Sequence, residues 1–563
     1  MARIFTIDIQ NFRGIQEFHQ KFHEGINCLI GRGDSGKSTI LSAISVVLSS
    51  KWSVHFTDDD FYNGNVDDPI IIDATLINLP DKTLSKFGDY VRGISSDGTI
   101  IDNFEAESAM DANCALTIRL IVKSDLEPNW YVIDSRDKEP KVISAADRTE
   151  LNVYSISDLT DRHFSFTKGN PLYSLVKRLV ADQDETDSTI QEIMRQAKVN
   201  FDDSVKDKFN ETLELVVNIA KKLGLCISLE DTSAGLDSQD ISYNANKVSL
   251  HESGVPFRLH GNGSKRILSL AIQLATANPF GVILIDEIEQ GLEPDRVQHL
   301  VKNLLSLENS QIIITTHSSN VVTELSCDNL FIMRNHAVKF ESIDSDYQGC
   351  VRKNPEAFFA KKVLVCEGAT EVGIMRSINS YLITQNKASA AVQGVRFADG
   401  TGRSMINYVN GFVRMGYECA LFCDSDDDTV NSHKLALRDN GVVIADCEKG
   451  KCIEQQLFCD LPWDQVIDCV NLRIDNAGVE MLDVYNDVTY NMQDDKPNFD
   501  NWLTKDLKSL RAVLGTRACN KSWFKDQDRG SEIGDIMMSC YESLPSGNHI
   551  KSMIDSLIHW IEA

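Results

Sequence analysis

Length, composition and charge set the first limits on what this chain does. Its 563 residues exceed the size at which one hydrophobic core keeps growing, which predicts roughly three or four domains. Apolar residues make up 42% and charged residues 25%, which excludes a disordered chain and a membrane-embedded one. The net charge of -27 argues against a positively coated surface, although a local basic groove or bound divalent cations would still admit nucleic acid.

The cysteines and the N-terminus indicate a reduced, non-secreted protein. The closest cysteine pairs, Cys419 with Cys423 and Cys447 with Cys452, fit only a loose zinc spacing, so we expect free thiols. The N-terminal residues lack the continuous apolar segment of a signal peptide, and no stretch approaches the length of a membrane span. These features predict a cytoplasmic location and no membrane partner.

The N-terminal region has the pattern of a nucleotide-binding fold. Residues 3–9 alternate apolar and polar, and residues 25–30 form an apolar strand that leads into a glycine-rich loop. Residues 39–48 follow with the apolar density of a buried helix. We therefore predict that residues 1–168 are the first part of an ATPase domain, in which residues 69–153 supply an antiparallel sheet.

The glycine-rich loop matches GxxxxGK[ST]. In such loops the glycines let backbone N–H groups approach phosphates, the lysine contacts the β and γ oxygens, and the next hydroxyl ligates magnesium. The predicted ATP contacts are therefore Gly31, Gly33, Ser35, Gly36, Lys37, Ser38 and Thr39.

Helical periodicity then replaces the strand pattern. It covers residues 169–225 and predicts a helical insertion that serves as a dimerisation arm. The second part of the ATPase domain, residues 226–348, contains an apolar strand ending in Asp286 and Glu287. Asp286 would hold magnesium, and Glu287 would act as base toward the attacking water.

The order of the remaining motifs resembles ABC-type ATPases. His317 follows the apolar strand 311–316 and is a candidate sensor of the γ-phosphate. Residues 259–266 occupy the place of the ABC signature before a helix, although they depart from the Leu-Ser-Gly-Gly pattern. Their glycines would present N–H groups to nucleotide held by a second subunit. The NFRG segment at residues 11–14 resembles ATPases of the SMC and RecF type, whereas no coiled coil of SMC length is present.

A second α/β unit, residues 355–470, ends two strands in carboxylates. Glu367 and Glu371 follow the strand at 362–366, and Asp424 and Asp426 follow the strand at 420–423. Adjacent parallel strands place such acids at one sheet edge, where oxygen ligands bind Mg²⁺ or Mn²⁺. The arrangement resembles a Toprim domain, which implies that these four acids are metal ligands or the general base in phosphoryl transfer on nucleic acid.

The whole order, an ABC-type P-loop ATPase with a helical insertion followed by a Toprim α/β domain and a C-terminal extension, resembles the OLD (overcoming lysogenisation defect) family. The resemblance implies a metal-dependent DNA endonuclease controlled by ATP, a role in defence against phage, and a partner protein or nucleic acid of such a system. It also implies a catalytic lysine near the C-terminus. Lys525 is preferred to Lys521, and Lys551 remains open.

Two C-terminal features are less specific. Glu454 resembles a later Toprim glutamate that supports a metal, or it is a solvated acid at a helix start. Residues 471–563, the C-terminal part of the nuclease region, have a mixed, turn-rich pattern that ends in a helix at 550–562.

The sequence thus predicts an ATP-binding, Mg²⁺- or Mn²⁺-dependent DNA endonuclease that acts as a homodimer or higher homo-oligomer. A Toprim topoisomerase would need a tyrosine nucleophile, which nothing around Tyr408, Tyr417 or Tyr541 marks, and a primase would need a polymerising domain. The non-enzymatic alternative is an SMC/RecF-like DNA-binding clamp with a non-catalytic Toprim scaffold.

Overall fold

The structure is a computed structural model that divides into two compact units, Met1–Ser342 and Ile343–Ala563. The second unit begins before residue 355, where the sequence predicted its start, and helical turns occupy residues 345–353 and 355–359. The residues described are 2–51, 53–95, 99–101, 114–134, 138–151, 153–156, 161–166, 170–179, 204–236, 248–276, 281–307, 310–334, 340–490, 492 and 496–563.

A mainly parallel sheet carries the nucleotide motifs of the first unit. Within the described residues its strand order is β10-β14-β15-β3-β16-β17, in which only β17 runs antiparallel to its neighbour. Its four inner strands β14, β15, β3 and β16 are buried along their whole length, as expected for strands covered on both faces. The strands are β3 (Ile26–Ile30), β10 (Val153–Ile156), β14 (Val282–Ile285), β15 (Gln311–Thr315), β16 (Leu330–Ile332) and β17 (Glu341–Ser342).

An antiparallel sheet lies beside the nucleotide fold in the same unit. The expectation of such a sheet over residues 69–153 is confirmed. The N-terminal hairpin also joins this sheet, whereas the strand that begins at residue 153, β10, pairs with β14 of the parallel sheet. Its described strands are β1 (Arg3–Phe12), β2 (Ile15–Lys21), β4 (Ile70–Ile77), β5 (Arg92–Ile94), β6 (Ile100–Ile101), β7 (Cys114–Val122), β8 (Pro128–Ile133) and β9 (Lys141–Val142).

The expected helical insertion contributes to the core of this unit. Helix α5 buries its periodic apolar face, including Phe209, Leu213 and Val216, and it packs against α6. Residues 180–203 of the expected dimerisation arm lie outside the described residues. The helices are α1 (Lys37–Val47), α2 (Asp81–Phe87), α3 (Ala145–Thr149), α4 (Pro171–Leu179), α5 (Ser204–Lys222), α6 (Asn262–Thr276), α7 (Pro294–Leu305) and α8 (Ser319–Glu324), with a small sheet of β11 (Thr232–Leu236), β12 (Val248–Glu252) and β13 (Val255–Pro256).

The second unit is built on a parallel sheet of order β19-β18-β20-β21. Its strands are β18 (Lys362–Cys366), β19 (Val395–Asp399), β20 (Glu418–Cys423) and β21 (Val443–Asp446). Its helices are α9 (Gln348–Lys353), α10 (Ala369–Thr384), α11 (Met405–Arg414), α12 (Asp428–Asp439), α13 (Ile453–Asp460), α14 (Trp463–Ala477), α15 (Met481–Thr489), α16 (Lys508–Asn520), α17 (Gln527–Cys540) and α18 (His549–Glu562).

The turn-rich pattern expected beyond residue 470 is wrong. Five helices, α14 to α18, account for most of this segment, and α14 runs through the expected boundary at 470/471. Their buried side chains join the sheet residues in one hydrophobic core, which extends from Leu364 to Ile561. The C-terminal segment is therefore part of the same folded unit as the strands that end in carboxylates. Over the part of the chain that the structure describes, no helix has the length and apolarity to cross a membrane.

Candidate functional site

The phosphate loop turns tightly between β3 and α1, and its glycines are required sterically. Gly31 has a φ of 147°, and a Cβ on this residue would lie 2.2 Å from the carbonyl oxygen of Met333. Gly36 also has a positive φ and directly precedes α1. The side chain of Lys37 is buried, and its Nζ donates to the carbonyl oxygens of Gly31 (3.0 Å) and Arg32 (2.8 Å). The lysine is thus held within the loop by backbone oxygens.

The acids that follow β14 lie beside this loop. Asp286 Oδ1 accepts hydrogen bonds from Ser38 Oγ (3.1 Å) and from Thr315 Oγ1 (2.5 Å). The backbone N–H of Glu287 donates to the same threonine hydroxyl (2.8 Å). Glu287 has a φ of 45°, an unfavourable conformation for this residue type, which is typical of functional loops. The strand β15 therefore fixes the position of both acids.

Glu289 is a site residue that the sequence reasoning missed. Its Oε1 accepts from the backbone N–H of His317 (2.6 Å), and its Oε2 accepts from Thr316 Oγ1 (2.6 Å). The carboxylate thus holds the segment that carries His317 next to the strand carrying Asp286. A third acid two residues after Glu287 was the available signal.

These elements enclose a cavity of about 930 Å³, large enough for a nucleotide. Burial lowers the pKa of Lys37 to about 8, a shift that nearby acids oppose. Among the described residues that line the cavity, none belongs to the expected signature segment 259–266. The lining residues are Gln10, Asn11, Gly14, Ile15, Gln16, Glu17, Gly33, Asp34, Ser35, Gly36, Lys37, Ser38, Thr39, Tyr62, Glu287, His317 and Met333.

The second unit brings the expected nuclease acids together at the carboxyl ends of β18 and β20. The backbone N–H of Asp424 donates to Glu367 Oε2 (2.9 Å), and the N–H of Gly368 donates to Glu371 Oε2 (2.9 Å). Asp424 Oδ1 accepts from the N–H of Ile453 (2.7 Å), at the start of α13. Backbone donors therefore fix the directions of three carboxylates. Asp426 is exposed at the end of the same loop.

Burial makes these acids strongly interacting. The exposed fractions are 3% for Glu371 and 7% for Asp424. Burial, followed by repulsion from Glu371, Glu367 and Glu454, raises the pKa of Asp424 to about 9. Burial and the neighbouring acids likewise raise the pKa of Glu371 to about 7, and the pKa of Glu367 is raised by burial and by Asp426. Such a cluster is unfavourable unless positive charge or protons compensate it.

Glu454 belongs to this cluster, so the interpretation as a solvated helix-start acid is wrong. Its side chain is 0% exposed, and neither carboxylate oxygen has a hydrogen-bond partner. Lys525 Nζ lies 3.7 Å from Glu454 Oε1. Burial lowers the pKa of Lys525, but attraction by Glu454, Asp424 and Glu371 outweighs burial and raises the pKa above its usual value. The lysine is therefore a cation at neutral pH.

The other two candidate lysines lie elsewhere. Lys551 Nζ donates to the carbonyl oxygen of Leu544 (2.8 Å), and Lys521 is exposed where α16 ends. The tyrosine hydroxyls are also engaged, since Tyr417 donates to the carbonyl oxygen of Phe358 and Tyr541 donates to Asp555. These contacts give no support to a topoisomerase nucleophile.

Close packing of α10 against α17 brings Lys525 to the acids. A Cβ on Gly530 would lie 2.3 Å from the carbonyl oxygen of Thr370, and one on Gly373 would lie 2.3 Å from that of Gln527. Thr370 Oγ1 also donates to the carbonyl oxygen of Phe524 (2.9 Å). The glycine spacing in α17 was the sequence signal for this contact.

Lys434 is a second residue that the sequence reasoning missed. It is buried on α12, and its Nζ donates to the carbonyl oxygen of Asp424 (2.8 Å) and to Ser425 Oγ (2.8 Å). It also pairs with Asp446 at 3.1 Å. The lysine therefore holds the loop that follows β20 in place through two hydrogen bonds. Polar residues 431–433 precede it and Leu435 follows it, a mixed pattern that does not mark Lys434 as buried.

The donor set fits a divalent cation of the magnesium class. It supplies hard carboxylate oxygens, and the unsatisfied buried carboxylate of Glu454 has the charge that such a cation compensates. Glu367, Glu371, Asp424 and Glu454 are the residues that would hold it, with Asp426 at the open side.

Comparison with known families agrees with this division. An "AAA ATPase domain" model matches residues 3–175, and an "AAA domain, putative AbiEii toxin, Type IV TA system" model matches residues 193–323. An "Overcoming lysogenization defect protein-like, TOPRIM domain" model matches residues 358–426. These matches confirm the predicted resemblance: AAA ATPase segments are followed by an OLD-like Toprim domain, as in OLD family ATPase–Toprim proteins.

Individual relatives are more distant. The DNA replication and repair protein RecF of Azobacteroides pseudotrichonymphae is 22% identical over 376 residues, covering 60% of this chain and 99% of the relative. RecF of Streptococcus agalactiae serotype V is 21% identical over 363 residues, covering 56% and 91%. A crystal structure of an Smc head bound to the C-terminal winged-helix domain of ScpA covers 61% of this chain and 97% of its own, at 17% identity and a TM-score of 0.39.

Proposed function

We propose that this chain, in which an AAA-type ATPase precedes an OLD-like Toprim domain, is a divalent-metal-dependent DNA endonuclease controlled by ATP. The observation that carries the proposal is the cluster of Glu367, Glu371, Asp424 and Glu454 with Lys525 beside it. Four carboxylates in mutual repulsion destabilise a fold, so a purely structural domain has no use for them. A phosphoryl-transfer site has such a use.

The acids and the lysine would have different roles because they carry opposite charges. The four acids would hold the cation, and a cation bound there supplies Lewis acidity and a water nucleophile of lowered pKa. Because burial and the neighbouring acids raise the pKa of Glu371, binding of the cation at this acid must displace a proton. Lys525 keeps its positive charge and would offset negative charge on the scissile phosphate.

The ATPase unit would act as the control site. Lys37, Ser38, Asp286 and Glu287 are arranged as in the phosphoryl-transfer template, in which the lysine binds phosphates and the acids hold magnesium and orient water. A dimer in which the segment 259–266 of one chain completes the nucleotide site of another, as the resemblance to ABC-type ATPases implies, is part of the same proposal. The defence role implied by the family resemblance is part of the same proposal.

A plasmid-cleavage assay tests the nuclease. Supercoiled DNA is incubated with Mg²⁺ or Mn²⁺ and with wild type, Glu367→Gln or Asp424→Asn; we expect both variants to lose at least about 100-fold in rate, as for removal of a metal ligand. Asp428→Asn is the matched control, because Asp428 is exposed at the start of α12 and follows the same loop. Equal cleavage by wild type and both site variants contradicts the proposal.

A second assay tests the control by nucleotide. Cleavage is compared with ATP, ADP and a non-hydrolysable analogue, with Lys37→Ala alongside, while sedimentation measures the oligomer. We expect the cleavage rate of wild type to differ between the nucleotides and the rate of Lys37→Ala to be the same with each of them. A rate that is the same for every nucleotide refutes the control while leaving the nuclease intact.

The RecF relatives favour one alternative, an ATP-dependent DNA-binding clamp with an inert Toprim scaffold. ATP-dependent retention of DNA, without cleavage in any divalent metal, would establish it.

A further inference from the structure

Three side chains of the second unit, two thiols and a carboxyl group, form a cluster next to the four acids. Cys452 lies at the N-cap of α13, Glu454 lies in its first turn, and Cys519 lies in the last turn of α16. Their ligand atoms, two Sγ and a carboxylate oxygen, all lie within 4.8 Å of one another. The pairing differs from the loose zinc spacing in the sequence, because Cys452 meets Cys519 rather than Cys447.

The cluster is built by close helix packing. Helix α13 packs against α16, and a Cβ on Gly515 would lie only 2.9 Å from the Cα of Gln455. A glycine is therefore needed one turn before Cys519 for the two helices to approach. This contact sets the separation of the two helix backbones that carry the three side chains.

A second observation indicates that this cluster is suited to a cation. The carboxylate of Glu454 is fully buried, neither oxygen has a hydrogen-bond partner, and its nearest charge is Lys525 Nζ at 3.7 Å. A buried carboxylate without hydrogen bonds is strongly unfavourable. Cys452 is fully buried, whereas Cys519 is partly exposed, so an ion would enter from the side of Cys519.

The ligand chemistry selects the class of ion. Thiolates favour zinc-class ions and disfavour Mg²⁺, which requires oxygen ligands. In a tetrahedral zinc site with Zn–S bonds of about 2.3 Å, neighbouring ligand atoms lie about 3.7 Å apart, so contraction by about 1 Å or less closes this cluster. Burial raises the pKa of both thiols, so ion binding must release their protons, while the N-terminus of α13 favours the Cys452 thiolate.

We propose that Cys452, Glu454 and Cys519 form a site for a zinc-class cation, with water as the fourth ligand, and that its occupation inhibits the nuclease. Binding there takes Glu454 out of the acid cluster and places a positive ion beside Lys525. The inhibition rests on the proposed nuclease function, whereas the binding does not.

Binding is tested with Cd²⁺ on the full-length reduced protein, followed by the ultraviolet thiolate-to-cadmium charge-transfer band. We expect one Cd²⁺ per chain at this site, displaced by Zn²⁺ at comparable concentration and by Mg²⁺ only in large excess, because Mg²⁺ competes for Glu454 but not for the thiols. Cys452→Ser and Cys519→Ser should each weaken binding by more than about 10-fold, since even partners beyond the direct ligands cost that much. Cys459→Ser is the matched control, because this exposed cysteine lies on the same helix, α13. A band unchanged in both site variants overturns the site.

Inhibition is tested by plasmid cleavage in excess Mg²⁺ with added Zn²⁺. We expect Zn²⁺ to inhibit wild type and Cys459→Ser, and Cys519→Ser to need more than about 10-fold more Zn²⁺. Equal inhibition of wild type and Cys519→Ser overturns the regulatory role. If the wild type cuts no DNA, the nuclease proposal fails while the cadmium band still decides the site.

Discussion

The acid cluster predicts that metal binding to the second unit releases protons. In the folded protein the pKa of Asp424 is about 9 and that of Glu371 is about 7, because burial and mutual repulsion favour their neutral forms. At pH 7 the pair therefore retains protons that ordinary carboxyl groups have already lost. The carboxyls must lose these protons to bind a divalent ion, so binding at pH 7 should release on the order of one proton.

The raised pKa values of the two carboxyls determine how the affinity for metal changes with pH. A carboxyl whose pKa is raised binds protons more tightly, so protons compete with the metal below that pKa and stop competing above it. Each proton released makes the affinity increase about 10-fold per pH unit, so the affinity should increase by roughly that factor between pH 7 and pH 8 and level off at higher pH, once both carboxyls are ionised. The strongest dependence thus lies in the neutral range, well above the usual range of carboxyl groups.

Calorimetric titration with Mn²⁺ measures the release directly. The observed enthalpy is plotted against the ionisation enthalpy of several buffers at pH 7, and the slope gives the number of protons. Asp424→Asn should lose about one proton from this number, whereas Asp428→Asn should leave it unchanged. A slope below about 0.3, or an affinity equal at pH 7 and pH 8, would refute the interpretation of the cluster as protonated and metal-binding.

Three further results are expected. Lys525→Ala should lower cleavage by about 100-fold or more while Mn²⁺ binding is retained, and Lys525→Arg should recover part of the rate, as measured by single-turnover cleavage; an unchanged rate in Lys525→Ala would remove this residue from the mechanism. Gly530→Ala should destabilise the second unit by about 1–3 kcal/mol, because the added methyl group would collide with the carbonyl oxygen of Thr370. Gly547→Ala is the control, because its methyl group would meet nothing within 4 Å. Equal melting temperatures for the two variants would contradict the packing argument. Lys37→Ala should abolish ATP binding by fluorescence titration without changing Mn²⁺ binding, and ATP affinity equal to that of wild type would exclude the loop as the nucleotide site.

The sequence predicted those parts of the sites that depend on short-range pattern. A glycine loop between a strand and a helix can be recognised in a sequence because some of its positions have no room for a side chain. At Gly31, for example, a Cβ would collide with the carbonyl oxygen of Met333. The acids Glu367 and Asp424 were predicted to lie together because neighbouring parallel strands end at the same edge, and β18 and β20 are neighbours. Local rules were sufficient there.

Long-range packing decided the rest. Glu454 could not be assigned from its neighbours in sequence, because its burial depends on α16 and on Lys525, which lie more than 50 residues later. Lys434 was not predicted as a site residue, because only the tertiary structure brings its Nζ to the carbonyl oxygen of Asp424. The C-terminal helices lacked a clear pattern, since each buries its own face against a different neighbour in one shared core.

The C-terminal helices therefore have a chemical role as well as a structural one. Without α17 and the lysine that precedes it, the four acids would have only protons and a bound cation to offset their charge. Lys525 removes part of the repulsion, but one positive charge cannot balance four carboxylates, which is why Asp424 retains its proton to about pH 9. The folded protein thus holds its nuclease acids in a state in which protons, Lys525 and divalent ions compete for the same negative charge. Cleavage should then depend on pH and on metal concentration together, whatever nucleotide is bound to the first unit.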